Sequence, residues 1–141
     1  MLRDVTRDGH PGSALHIVIV ERERLLRAGL ERLLGGSPGM VVTGSVESIA
    51  AAEHLPAPTE ADIVLAGADV PDMLGTEGVE RLLTRFQNAQ VVILGPEAEP
   101  GLVIAALRAG ADGYLTRNIP PRGWCGRCTA SNGARWRCRA R

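Results

Sequence analysis

The sequence predicts an α/β fold in which a doubly wound, five-stranded parallel sheet carries helices on its faces. Short apolar, β-branched runs alternate along the chain with segments whose leucines recur at helical spacing, and Gly or Pro separates them. Strands joined through helices pair in parallel, because the crossover returns the chain to the same end of the sheet. Such sheets carry their sites at the carboxyl ends of the strands. Functional side chains are therefore expected at 21–24, 66–72, 95–98 and 116–120.

The first strand and helix show both periodicities. The run LHIVIV begins at Leu15 and is apolar throughout, as is typical of a strand buried on both faces. The helix that follows is predicted from ERERLLRAGLERLLGG, in which one apolar face is expected to comprise Leu25, Leu26, Leu30, Leu33 and Leu34. Two glycines, Gly35 and Gly36, end that pattern.

The same alternation continues to the fifth strand. The predicted strands are MVVTGSV from Met40, DIVLAGA from Asp62, QVVILG and ADGYLT. The intervening helices are predicted from Ser48 to the prolines at 56 and 58, from Gly78 to Phe86, and from Pro100 to a cap at Gly110.

Charge divides the chain into two unequal parts. The formal net charge is zero, but all sixteen acidic residues lie in 1–116 with nine arginines, which gives −7 there and +7 in 117–141. All three cysteines and both tryptophans lie in the last eighteen residues. We therefore predict a flexible tail over 1–13, one folded domain over 14–119 and a compositionally aberrant segment over 120–141. The chain has no secretion signal and no apolar run long enough to cross a membrane, so a cytoplasmic location is expected.

Three segments together resemble the receiver domain of NarL/FixJ-type bacterial response regulators. They are IVIVERERLLRAGLERLL, DIVLAGADVPDMLGTEGVERL and, most specifically, VIAALRAGADGYL, and the likeness covers residues 14–119. The resemblance implies a flavodoxin-like receiver fold in which a histidine kinase phosphorylates an Asp at the end of the third strand. It also implies two acids that hold Mg²⁺, a Ser or Thr after the fourth strand, a Lys after the fifth, and a signalling aromatic on the fifth strand.

This chain departs from that pattern at most of the matching positions. The acid pair falls on Glu21 and Arg22, the acceptor on Gly67, the hydroxyl on Gly95, the Lys on Arg117 and the aromatic on Tyr114. The phosphorylation site implied by the resemblance is therefore degenerate, and only Glu21 and Tyr114 have the type of side chain that the family uses.

Gly67 argues most strongly against phosphorylation, because a residue without a side chain cannot accept a phosphoryl group. Asp69 is the nearest substitute, but in an extended chain it would lie about 6 to 7 Å further along. Arg22 places a positive charge where a metal ligand is expected and would repel Mg²⁺. We therefore expect no magnesium or other metal site and no catalytic residue. Our hypothesis is that Arg22 and Arg117 flank Glu21 and hold the pocket in one state.

Simpler interpretations stay open for several of these residues. Glu21 and Arg22 can equally be solvated residues that open the first helix. Tyr114 on a short strand is more often a packing residue than a switch. Asp69 and Asp72 flank a proline, where local turn hydrogen bonds are common. The histidines at 10, 16 and 54 are dispersed and predict no metal or catalytic cluster.

The last residues permit two interpretations. Cys125, Cys128 and Cys138 could bind zinc, and six arginines with two tryptophans could bind nucleic acid, but a structural zinc site normally has four ligands. Alternatively, a one-base frameshift near residues 122–123, in the gene or its recorded sequence, would explain every Trp and Cys there, because each codon would otherwise encode Leu, Val or Met. The fifth helix of the fold is then altered or missing. We expect the sheet face beside the first helix to be poorly covered and dimerisation through this region to be in doubt.

Three functions follow as hypotheses. The first is a non-enzymatic, phosphorylation-independent receiver from a LuxR-type transcription regulator, which acts through a protein partner or a homodimer, without direct DNA binding by this chain and without membrane attachment. Whether a histidine kinase recognises it is left open. The second is a receiver that is phosphorylated on another side chain. The third is a nucleic-acid or zinc-binding protein that acts through its C-terminal segment.

Overall fold

A computed structural model describes residues 14–56, 59–73, 76–96 and 100–118, together with the backbone of two short strands near the C-terminus. Five strands form one parallel sheet in the order β2-β1-β3-β4-β5. They are β1 (Leu15–Val20), β2 (Met40–Val46), β3 (Ile63–Gly67), β4 (Gln90–Gly95) and β5 (Gly113–Thr116). The predicted fold class, a doubly wound five-stranded parallel sheet, is confirmed.

Four helices connect the strands. They are α1 (Arg24–Gly35), α2 (Ile49–Glu53), α3 (Glu77–Arg85) and α4 (Pro100–Arg108). α4 ends at Arg108, and the predicted cap at Gly110 follows it: this glycine has φ +106°, a conformation that side chains disfavour and that commonly closes a helix. Near the C-terminus, β6 (Ala130–Ser131) and β7 (Arg135–Trp136) form an antiparallel pair that the sequence pattern did not predict. The predicted tail 1–13, the three cysteines and the position of a fifth helix lie outside the described residues.

The sheet buries a hydrophobic cluster on each face. One cluster joins strand residues to α2 and α3 and includes Val18, Val64, Val91, Ile49 and Leu82. The other joins the opposite strand faces to α1 and includes Ile19, Leu65, Leu94, Leu30 and Leu34. Successive strand residues point to opposite faces, so continuous apolar runs are needed to supply both clusters. This double burial fixes the strand ends where the site lies.

Two expectations about burial were wrong. Leu25 does not belong to the buried face of α1: it is 88% exposed, because it lies one residue inside the helix and points away from the sheet. The sheet face beside α1 is not left open at β4, since Val92 and Leu94 are both buried there. On the neighbouring β5, Leu115 is half-buried and packs against the same cluster.

Candidate functional site

The site lies where the carboxyl ends of β1, β3, β4 and β5 meet. Backbone hydrogen bonds continue the sheet one step beyond its strands and align the loops. The amide of Ala68 donates to the carbonyl of Leu94 at 2.8 Å, and the amide of Arg117 donates to the carbonyl of Gly95 at 2.9 Å. The parallel sheet thereby places residues 21, 67–69, 95 and 117 next to one another, in the four stretches that the sequence predicted.

The centre of this site is the side chain of Arg117. Its Nη2 atom donates to Asp69 Oδ1 at 2.5 Å and lies 3.4 Å from Glu21 Oε2. The side chain is 21% exposed, so solvent screens these ion pairs only in part. One guanidinium thus joins the loops that follow β1, β3 and β5, and we call Glu21, Asp69 and Arg117 the charge triad.

Glu21 is the buried member of the charge triad. It is only 1% exposed, so the interpretation of Glu21 as a solvated helix-opening residue is wrong. Its Oε1 accepts from the amide of Glu23 at 3.2 Å, while Oε2 faces Arg117. Its backbone carbonyl accepts from Arg27 Nη1 at 2.8 Å. A buried carboxylate needs such partners, because removal from water without them is costly.

Gly67 leaves a space that neighbouring carboxylates fill. A Cβ atom built on Gly67 would lie 2.6 Å from Glu21 Oε2 and 3.3 Å from Asp69 Oδ1. The separation of about 6 to 7 Å expected for Asp69 from an extended chain is therefore wrong. A turn at Ala68 and Asp69 follows β3 and brings this carboxylate back beside position 67. Among the described residues, Asp69 pairs with Arg117, which lies 48 positions away in the sequence.

Arg22 does not take part in the charge triad in the way that the sequence suggested. Its side chain is exposed, and the ion pairs that the described residues form at this site both run through Arg117. Arg117 thus lies beside Glu21, as our hypothesis expected. Arg22 is instead a solvated residue just before α1, as the simpler interpretation expected.

Electrostatics keep Arg117 charged. Burial alone would lower the pKa of Arg117, but its hydrogen bond to Asp69 and the nearby charge of Glu21 outweigh this effect and raise the pKa above the ordinary value. The positive charge is thus a permanent property of the site. The triad has two carboxylates and one guanidinium, and its formal charge is −1.

Gly95 and Tyr114 are also neighbours. A Cβ atom on Gly95 would lie 1.7 Å from the Tyr114 hydroxyl oxygen, so the ring occupies the place of a side chain at position 95. Tyr114 packs with the cluster beneath α2 and α3, together with Ala106 of α4. Tyr114 therefore has the packing role that the simpler interpretation expected, and its hydroxyl also lies at the edge of the site.

A second polar contact, unforeseen from the sequence, lies beside the site. Asp72 accepts from the amides of Ile49 and Ala50 at 2.9 and 2.8 Å and so caps the first turn of α2. Burial would raise the pKa of Asp72, but these two amides, its own backbone amide and Arg81 outweigh it and lower the pKa. The expected local hydrogen bond is present beside these contacts, because the backbone amide of Asp72 donates to its own carboxylate. The usable signal was Ser48, the residue type typical of a helix N-cap: its hydroxyl accepts from the amide of Ala51 at 3.1 Å and marks a helix start in need of acceptors.

The described residues contain no group of three His, Cys, Asp or Glu side chains suited to a metal ion. His16 lies at the opposite end of β1 from the charge triad, where its ring faces Glu60 and Asp62 at 3.6 and 3.5 Å. His54 follows α2 and its ring contacts the carbonyl of Ala50.

A doubly wound sheet whose charged side chains converge at the carboxyl ends of β1, β3 and β5 defines a receiver-like signalling domain. Comparison with known families agrees: the response regulator receiver domain matches residues 17–125, and the chain belongs to that family. The relatives described below narrow this to a receiver domain of the NarL/LuxR type, which is found in two-component response regulators.

Relatives in sequence are named as response regulators or as transcriptional regulators. The nitrate/nitrite response regulator protein NarL of Escherichia coli is 26% identical over 105 residues, which cover 74% of this chain and 49% of NarL. The DNA-binding transcriptional activator DevR/DosR of Mycobacterium tuberculosis is 29% identical over 103 residues, which cover 73% and 48% of the two chains. The chain thus spans about half the length of these curated relatives.

Solved structures show the same architecture. The receiver domain of the putative response regulator NarL from Mycobacterium tuberculosis matches with a TM-score of 0.70 at 25% identity, covering 79% of this chain and 90% of that domain. A LuxR-family response regulator from Aurantimonas matches with a TM-score of 0.72 at 25% identity, covering 82% of each chain. Within the described part of the protein, no helix is long and apolar enough to span a membrane.

Proposed function

We propose that this chain is a receiver domain whose pocket is closed by its own charge triad and which signals through protein contacts without aspartyl phosphorylation. The observation that carries the proposal is the position of Arg117. Its guanidinium already pairs with the carboxylates that lie nearest to position 67, where the family resemblance expects an acceptor and this chain has glycine. The pocket thus contains an internal cation and no side chain at the expected acceptor position.

The carboxylate oxygens of the site are also poorly arranged to bind Mg²⁺. A magnesium ion requires near-octahedral oxygen ligands at about 2.0 to 2.1 Å. Glu21 Oε2 and Asp69 Oδ1 both face Arg117, and a divalent ion between them would meet a fixed positive charge. We therefore propose that the domain functions without magnesium, and we derive no step through a metal ion.

The rest of the proposal concerns the intact protein. The relatives carry a second half beyond the aligned receiver region, and several are named as transcriptional regulators. We propose that this chain is the N-terminal part of a cytoplasmic LuxR-type regulator, not an enzyme, and that the receiver contacts another protein or a second copy. The family match ends at residue 125, close to the frameshift that the sequence suggests at 122–123. An open reading frame downstream that encodes a helix-turn-helix pattern would support this view, and early stops in the adjacent frame would contradict it.

Phosphorylation by acetyl phosphate tests the closed pocket directly. The intact chain is incubated with Mg²⁺ and acetyl phosphate, and intact mass spectrometry follows phosphoryl transfer, with an acceptor-competent receiver as the positive control. We expect no adduct and no saturable Mg²⁺ binding by calorimetry. A saturable, acid-labile adduct would overturn the proposal.

The same assay tests whether another side chain accepts the phosphoryl group instead. The turn after β3 brings Asp69 close to position 67, so Asp69 is the side chain to examine. An adduct that disappears in Asp69→Asn but persists in Asp72→Asn would establish phosphorylation on Asp69. Asp72 is a matched control because it lies in the same loop with its carboxylate directed at α2.

A further inference from the structure

Two consecutive turns follow β3, and each of them carries a carboxylate at its third position. The amide of Val70 donates to the carbonyl of Gly67 at 3.3 Å, and the amide of Met73 donates to the carbonyl of Val70 at 3.0 Å. The turns therefore share Val70, and their third residues are Asp69 and Asp72. We call these two turns together the double turn.

The double turn has little internal freedom. Val70 is 3% exposed and packs in the same hydrophobic cluster as Ile49 of α2. Pro71 occupies the second position of the second turn, where its ring fixes one backbone dihedral and where proline is favoured. A displacement of Asp69 is therefore expected to reach Asp72, because few bonds between them can rotate to absorb it.

α2 depends on contacts from outside itself. It has five residues, and a helix this short has too few internal hydrogen bonds to be stable alone. Asp72 accepts from the amides of its first two residues at 2.9 and 2.8 Å. At the other end, Arg85 donates to the carbonyls of Glu53 and Leu55 at 3.3 and 3.0 Å. A weaker hold by Asp72 should therefore loosen the first turn of α2.

We infer that the double turn couples the charge triad to α2, so that the pairing of Asp69 with Arg117 determines how firmly Asp72 holds this helix. The double turn is fixed at one carboxylate by a cation from the loop after β5 and at the other by backbone amides of α2. A contiguous chain of contacts of this kind can transmit a change from one end to the other. A partner that draws Arg117 away from Asp69 would thereby loosen α2. The inference goes beyond the proposed function, because it requires the ion pair and not the absence of phosphorylation.

Amide hydrogen exchange, followed by NMR on the intact ¹⁵N-labelled chain, measures this coupling. Asp69→Asn keeps the size of the side chain but removes the charge that pairs with Arg117. Relative to the amides of β3, we expect those of Ile49 and Ala50 to exchange at least about threefold faster in this variant, because local opening of α2 becomes easier. Arg22→Gln, which removes an exposed charge from the neighbouring loop, is the matched control and should leave both amides unchanged.

A double-mutant cycle shows whether the effect passes through Asp72. In Asp72→Asn the two amides lose their charged acceptor, and addition of Asp69→Asn should then change the logarithm of their exchange rates by less than about half as much as it does in the wild type. Unchanged exchange of Ile49 and Ala50 in Asp69→Asn would overturn the inference, and so would an increase that only matches that of β3. Equal effects in both backgrounds would contradict transmission through Asp72.

Discussion

Arg117 Nη2 lies 2.5 Å from Asp69 Oδ1 and 3.4 Å from Glu21 Oε2, so one guanidinium holds together two carboxylates from different loops. The relationship matters because Glu21 is almost completely buried. A carboxylate in that environment depends on its cation, since an uncompensated buried charge is strongly unfavourable. The stability of the fold and the closure of the pocket therefore depend on the same side chain.

Removal of this cation should destabilise the protein. We expect Arg117→Ala to lower the free energy of unfolding by about 2 kcal/mol, because Glu21 loses its counter-charge in a buried position. Arg117→Lys should retain most of the stability, since it keeps the charge and the Arg117 Nε atom has no hydrogen-bond partner among the described residues. Urea unfolding monitored by circular dichroism measures both changes.

The control for this prediction is Arg22→Ala, which removes an exposed arginine from the neighbouring loop. Its unfolding free energy should change by no more than about 0.5 kcal/mol. Equal losses for the variants at 22 and 117 would show that the charge triad does not contribute specifically to stability.

A methyl group at position 67 should lower the free energy of unfolding. The Cβ of Gly67→Ala would lie 2.6 Å from Glu21 Oε2, and this carboxylate is held by Arg117 and by the amide of Glu23. We expect a loss of about 1–3 kcal/mol from overpacking, measured by urea unfolding. Gly29→Ala supplies the comparison, because its Cβ meets nothing within 4 Å inside α1 and should stabilise the helix by about 0.5–1 kcal/mol. A neutral Gly67→Ala would indicate that the two carboxylates move aside freely.

Acid should weaken the cap of α2. The pKa of Asp72 is lowered in the folded protein, so the stabilisation from its carboxylate is present above its unfolded pKa of about 3.9 and is lost as the pH falls through the lower folded pKa. Stability curves from pH 7 to pH 2 should therefore be flatter for Asp72→Asn than for the wild type in the acid range. Glu47→Gln, an exposed change just before the N-cap, is the control. Identical acid slopes in wild type and Asp72→Asn would contradict the role of the charged cap.

Truncation of two leucines of α1 to alanine should reduce the free energy of unfolding by very different amounts. Leu30 is 4% exposed and packs against the sheet, whereas Leu25 is 88% exposed. Leu30→Ala is expected to cost about 2–4 kcal/mol and Leu25→Ala less than about 0.5 kcal/mol in unfolding free energy. Chemical denaturation of both variants checks the burial of this helix face; comparable costs would contradict it.

Periodicity was sufficient to predict the sheet because each central strand is buried on both faces and reads as an unbroken apolar run. It did not distinguish Leu25 from Leu26, since one residue of rotation at the start of a helix changes which side chain faces the core. The site residues Glu21, Gly67, Gly95 and Arg117 were placed by the resemblance at the strand ends. The roles of Asp69 and Asp72 could not be predicted, because each depends on how a turn redirects a carboxylate towards a residue that is distant in sequence.

The contact between Arg117 and Glu21 also bears on the order in which the protein folds. It spans 96 residues and joins the loop after the first strand to the loop after the fifth. Closing so long a loop is entropically costly, and the cost falls only once the strands between have assembled. We therefore expect the pocket to form late during folding. In the native protein, the amides around Arg117 should exchange their hydrogens sooner than those of β3, whose position in the middle of the sheet protects them.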